Sequence, residues 1–106
     1  MLVHIVFWKL LDHAPNGRSK ADNALEMKRR FEALRGVIPG LARCEIGVDI
    51  SRTPESADVA LYTEFDSPAS LEAYQVHPLH KDIVGFLKDI RSERRVVDYQ
   101  HERHPV

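Results

Sequence analysis

Residues 2–10, LVHIVFWKL, constrain the fold more than any other feature of this sequence. β-branched and aromatic residues fill the segment, which is typical of a strand whose successive side chains point to opposite faces. One face carries His4, Val6, Trp8 and Leu10, and the other carries Val3, Ile5 and Phe7. Because both faces are mostly apolar, both sides of the predicted sheet need a cover.

The rest of the chain adds helix, strand, strand, two helices and strand. Ser19, with Asp22 three residues later, resembles a capping box at the start of a helix. Apolar residues then recur at helical spacing: Ala24, Met27, Phe31, Leu34 and Ile38. Strands are predicted over 41–50, 57–66 and 93–100, a short helix over 68–76, another helix from Pro78, and a loose tail over 101–106. The second strand places Ile50 on one face with Cys44. This order predicts an α+β, ferredoxin-like fold, a four-stranded antiparallel sheet with helices on one face.

Helices on one face leave the other apolar face of the sheet bare. A large exposed apolar face is unusual for a soluble monomer. The simplest cover is a second copy of the chain packed sheet to sheet, so the pattern predicts a homodimer.

Composition narrows the classes of partner. The 106 residues fit one domain, residues 1–106. Fifteen basic and sixteen acidic residues give a net charge of −1, which disfavours nucleic-acid binding. We interpret the basic run Arg91–Arg95 as the solvated surface of a helix or turn. No segment is apolar enough to cross a membrane. Cys44, the single cysteine, excludes an internal disulfide and favours a reducing cytoplasm.

The segment AYQVHPLHK, residues 73–81, is the candidate site. Histidine can act as a base near neutral pH, and this is the role predicted for His80. A tyrosine hydroxyl can donate a hydrogen bond to the oxygen of a developing enolate, and this is the role predicted for Tyr74. The alternative is a plain helix corner, with Tyr74 packed on the sheet and His80 capping a turn. His77 precedes Pro78, so we expect it to cap the next helix or to face solvent. A metal site on His77 and His80 would lack further ligands, and we expect no metal.

Four pieces, taken in order, resemble one known family. They are the opening HIVFWKL, the helix end VIPGL, the corner FDSPASLEAYQVHPLHK and the closing VVDY. Over residues 2–99 the chain resembles the stress-responsive dimeric α/β-barrel (Dabb) family. The resemblance implies two ferredoxin-like protomers that join their sheets into a barrel. The family is related to a plant polyketide cyclase, which closes a linear polyketide by aldol condensation without metal or organic cofactor, and is similar to cofactor-free monooxygenases.

The resemblance also implies roles for individual residues. Tyr74 and His80 match the cyclase's catalytic tyrosine and histidine, and His4 matches a histidine on its first strand. With Val6 and Trp8 on the same face, His4 is predicted to line a small apolar pocket. The implied function is acid/base chemistry, aldol or cyclase-like, on a small carbonyl or polyketide-like compound without a cofactor. Two alternatives stay open: a cofactor-free monooxygenase of an aromatic compound, and a non-enzymatic stress or ligand-binding dimer.

Overall fold

The structure, a computed structural model, describes residues 1–101, so the predicted tail beyond His101 lies outside it. Its elements are β1 (Leu2–Leu10), α1 (Lys20–Glu32), β2 (Leu41–Val48), β3 (Val59–Phe65), α2 (Pro68–Gln75), α3 (Pro78–Lys88) and β4 (Arg91–Gln100). The four strands form one antiparallel sheet in the order β2-β3-β1-β4. The predicted ferredoxin-like fold is therefore confirmed.

Strand β1 lies in the middle of the sheet and pairs with β3 on one side and β4 on the other. His4 is opposite Thr63 on β3 and Asp98 on β4. Residues that lie opposite one another in an antiparallel pair share a face of the sheet. The face that bears His4 is packed against the helices, and its core includes Val6 and Trp8, both almost fully buried.

Local capping sets the starts of the helices that cover this face. The Ser19 hydroxyl accepts a hydrogen bond from the Asp22 backbone N–H at 3.1 Å, as the capping pattern predicts. The Ser67 hydroxyl does the same for Ser70 at 3.2 Å, and Pro68 occupies the first turn of α2. These caps satisfy backbone donors that a helix start otherwise leaves unpaired.

Two predictions about the strands are wrong. Strand β2 ends at Val48, and Ile50 is 92% exposed, because the chain turns where the Asp49 carboxylate accepts a hydrogen bond from the Arg52 N–H at 2.7 Å. The basic run Arg91–Arg95 is part of β4 and not of a helix or turn. A register shift in the β1–β4 pairing interrupts the regular alternation of its side chains between the two faces of the sheet.

The second face of the sheet is not covered by the helices. Phe7 is 41% exposed, and Val97 and Tyr99 on the neighbouring β4 are 47% and 43% exposed. Because Val97 is opposite Ile5 in the register, these side chains form a continuous apolar surface. We call this surface, formed by Ile5, Phe7, Val97 and Tyr99, the open face. No helix within residues 1–101 is long and apolar enough to cross a membrane.

Candidate functional site

The segment 73–81 is first of all a helix corner. α2 ends at Gln75, and Pro78 starts α3. The His77 side chain accepts a hydrogen bond from the Leu79 N–H at 3.1 Å through Nδ1, so His77 caps α3, as predicted. That nitrogen is then occupied by a structural contact and is not available to a metal.

The corner brings Tyr74 and His80 together. Their ring centroids lie 4.3 Å apart, with the planes inclined at 45°. Tyr74 is completely buried and also packs against Phe65 at 5.1 Å and His4 at 6.5 Å between ring centroids. Three of the predicted site residues, His4, Tyr74 and His80, are thus neighbours.

His80 is held in the form that a general base requires. Its Nδ1 lies 3.2 Å from the Gln75 carbonyl oxygen. Since a carbonyl only accepts hydrogen bonds, Nδ1 carries the proton and Nε2 keeps its lone pair. Burial lowers the pKa of His80 below its ordinary value, against the raising effect of the Gln75 contact, and the positive charge of Arg94 lowers it further. His80 is therefore neutral at neutral pH.

The Tyr74 hydroxyl is in the complementary state. Burial raises the pKa of Tyr74 above its ordinary value, so the phenol stays protonated. The hydroxyl has no hydrogen-bond partner within the part of the chain that the structure describes. A buried polar group without a partner is uncommon in folded proteins.

A cavity of about 220 Å³ opens beside His80, between the sheet and helices α1 and α3. Its buried lining is His4, Val6, Trp8, Phe31, Leu61 and Leu87, and its more exposed lining is His80, Val84, Arg91 and Arg94. Four predicted site residues, His4, Val6, Trp8 and His80, thus lie on one cavity. Tyr74 is not part of the lining, and its ring lies against His80.

Asp98 is a site residue that sequence reasoning missed. Its carboxylate accepts a hydrogen bond from His4 Nδ1, which fixes the orientation of the imidazole. The two residues are directly opposite in the β1–β4 pairing. Only the strand register could have signalled this pair, because the residues lie at opposite ends of the chain.

A metal site and a reactive cysteine find less support among the described residues. Within residues 1–101, no group of three or more His, Cys, Asp or Glu side chains is placed to hold a metal ion. Burial raises the pKa of Cys44 to about 11, and its thiol donates to the Phe31 carbonyl at 3.3 Å. The thiol is therefore protonated and weakly nucleophilic.

Removing the Tyr74 hydroxyl should stabilise the fold. We expect Tyr74→Phe to raise the free energy of unfolding by about 1 kcal/mol, because the hydroxyl is desolvated without a partner. Urea denaturation followed by Trp8 fluorescence measures the change. Tyr62→Phe is the matched control, since the Tyr62 hydroxyl donates to Glu64 at 2.9 Å and its removal should not stabilise. A loss of stability in Tyr74→Phe would show that the hydroxyl has a partner.

Comparison with known proteins places this chain in a family. A sequence profile described as the Stress responsive A/B Barrel Domain matches residues 2–101. A dimeric ferredoxin-like protein from Bacteroides fragilis is 31% identical, with 94% of this chain and 95% of that chain covered and a TM-score of 0.81. No curated protein matches the chain.

Two more distant structures share the fold alone. A hydroxynitrile lyase from Passiflora edulis is 16% identical, covers 98% of this chain and 96% of its own, and has a TM-score of 0.75. An antibiotic biosynthesis monooxygenase is 19% identical, with 97% of this chain and 100% of that chain covered and a TM-score of 0.73. With a family match over nearly its full length, the chain belongs to the stress-responsive A/B barrel (Dabb) family.

Proposed function

We propose that the cavity beside His80 supports cofactor-independent acid/base chemistry on a small carbonyl compound. The observation that carries the proposal is the 4.3 Å contact between the rings of a neutral, oriented His80 and a protonated Tyr74 whose hydroxyl lacks a partner among residues 1–101. A base and a hydrogen-bond donor with these opposite protonation states are what proton abstraction next to a carbonyl requires.

The chemistry follows from the two groups. His80 Nε2 takes a proton from the carbon next to the carbonyl, and the electron pair of the broken C–H bond moves onto the carbonyl oxygen. Tyr74 lies behind His80 and outside the lining, so in this proposal its hydroxyl donates a hydrogen bond to that oxygen once the carbonyl has moved inward past the His80 ring. The enolate then either takes a proton back or attacks a second carbonyl of the same molecule, as in an aldol closure, and the new alkoxide takes the proton from His80.

Cavity size and lining limit the substrate. The volume of about 220 Å³ is below the roughly 300–1,000 Å³ of sites for drug-sized ligands. Its buried wall is mainly apolar and aromatic, with Trp8 and Phe31 at 5.7 Å between ring centroids. A compound with one ring, or a short polyketide-like chain, fits this space.

Exchange of hydrogen for deuterium tests the proposal without knowledge of the substrate. The protein is incubated with phenylacetone in deuterium oxide, and proton NMR follows loss of the signal next to the carbonyl. We expect faster exchange with protein than with buffer alone. If the protein binds such ketones without accelerating exchange, it is a ligand-binding protein and the acid/base proposal fails.

The aromatic wall formed by Trp8 and Phe31 also favours a second candidate, cofactor-free oxygenation of an aromatic compound. There His80 would take the proton of a phenol, and the phenolate would react with molecular oxygen. A structure with the same fold is named an antibiotic biosynthesis monooxygenase. Oxygen uptake with a phenolic compound would distinguish this activity from exchange, which consumes no oxygen.

We also propose a homodimer that buries the open face. The exposed Phe7, Val97 and Tyr99 support it, as does the dimeric state named for the relative from Bacteroides fragilis. Two such sheets packed together give the barrel expected for this family. A cytoplasmic location stays a prediction, supported by the single cysteine, which is buried as a free thiol.

A further inference from the structure

Arg91 and Arg94 lie at the more exposed side of the cavity, and its lining among residues 1–101 contains no acidic residue. Arg91 and Arg94 both belong to β4 and are opposite Leu10 and Trp8 of β1, so they lie on the helix-covered face of the sheet. With neutral His80 beside them, the entrance to an otherwise apolar cavity carries net positive charge. Such an arrangement attracts an anion.

Neither guanidinium is neutralised by a neighbour. Within residues 1–101, no carboxylate lies within ion-pair distance of Arg91 or Arg94. Asp98, the acidic residue on the same face of β4, is engaged by His4. By contrast, Arg29 on α1 holds Glu26 through two hydrogen bonds, of 2.9 and 2.6 Å. The two cavity arginines therefore keep their paired N–H groups for a ligand, and this fork matches a carboxylate.

A buried donor on a residue that lines the cavity supports a ligand as well. Trp8 is 2% exposed and lines the cavity, and its indole Nε1 has no hydrogen-bond partner among the described residues. An indole N–H can only donate. The site thus has two kinds of hydrogen-bond donor, a buried indole N–H and the more exposed guanidinium groups. Both would pair with acceptor oxygens on a ligand.

Building on the proposed function of this pocket, we propose that its substrates are carbonyl compounds that also carry a carboxylate, which Arg94 binds with help from Arg91. The carboxylate stays at the entrance, and the apolar body with its carbonyl reaches inward past His80. Burial is the main influence on the pKa values of His80 and Tyr74, and the charge of Arg94 makes a smaller contribution to both, which is consistent with its guanidinium lying near both rings. Arg94 therefore lies close enough to the base to hold an anion beside it.

Binding of two matched probes tests this inference. Phenylacetate and phenylacetamide have nearly the same shape and differ in charge, and isothermal titration calorimetry gives their affinities for the full-length protein. We expect phenylacetate to bind about 10-fold more tightly or better, the range of a charge-assisted hydrogen bond. Arg94→Gln should remove this preference, while Arg94→Lys should keep part of it, because the charge remains and the fork is lost.

Arg18→Gln is the charge control, since Arg18 is exposed in the loop before α1 and does not line the cavity. It should leave the preference for phenylacetate unchanged. Equal affinity for the two probes, no binding of either, or an equal loss in Arg18→Gln would overturn the anion inference. Deuterium exchange of the neutral compound phenylacetone tests the acid/base proposal separately. The acid/base proposal and the anion inference can therefore fail independently.

Discussion

His80→Ala should reduce protein-dependent deuterium exchange by roughly 10²–10⁴-fold, the usual contribution of a general base. The substitution removes the imidazole whose Nδ1 is held by the Gln75 carbonyl and whose pKa is lowered by burial, so that Nε2 is free to accept a proton. His77→Ala is the matched control from the same corner. It deletes the cap of α3 and should cost about 1 kcal/mol of stability, with exchange by the folded protein unchanged.

The dependence of the exchange rate on pH is a second readout of the same residue. A base acts only when unprotonated, so the rate should fall as the pH drops through the pKa of His80. Because burial lowers that pKa, full activity should persist below the ordinary value of 6.5 and decline only at more acidic pH. A rate that already falls above pH 6.5, or equal losses in His77→Ala and His80→Ala, would argue against His80 as the base.

Val97→Lys should convert the dimer into monomers. Val97 lies on the open face beside Ile5, and a two-fold interface would bury the new charge from both copies. An uncompensated buried charge costs roughly 3–5 kcal/mol, enough to raise the dissociation constant by orders of magnitude. Light scattering at micromolar concentration measures the mass.

Leu25→Lys provides the control for this experiment. Leu25 is exposed like Val97 but lies on α1, away from the sheet, so this variant should remain dimeric. A native protein of monomeric mass, or a dimer that tolerates Val97→Lys, would refute the sheet-to-sheet arrangement.

The parts of the fold that the sequence predicts are those governed by local periodicity. The alternation along residues 2–10 correctly assigns His4, Val6 and Trp8 to one face, and Ser19 marks the start of α1. Such signals depend on neighbours within one turn or one strand. Ile50 was placed wrongly because the turn built on Asp49 ends β2 early, and apolar alternation alone does not locate an end.

The candidate site is predicted only in part, for a different reason. Pro78 indicates a corner that can bring Tyr74 and His80 together, since the two are close in sequence. The contribution of β4 depends on its register with β1, which sets Asp98 beside His4 and Arg94 beside Trp8. These pairs join the two ends of the chain, and no local pattern encodes them. Arg94 therefore looks like ordinary surface until the sheet is assembled.

The central position of β1 affects how freely its sequence can change. In an ordinary half-exposed strand, every second residue faces water and tolerates many substitutions. Here His4, Val6 and Trp8 line the cavity, while Ile5 and Phe7 belong to the open face. If the proposed dimer and pocket are both in use, neighbouring positions serve two different functions and none of them is neutral. A substitution in β1 that changes ligand specificity would then have to leave the open face intact. A substitution that changes dimerisation would have to leave the cavity intact.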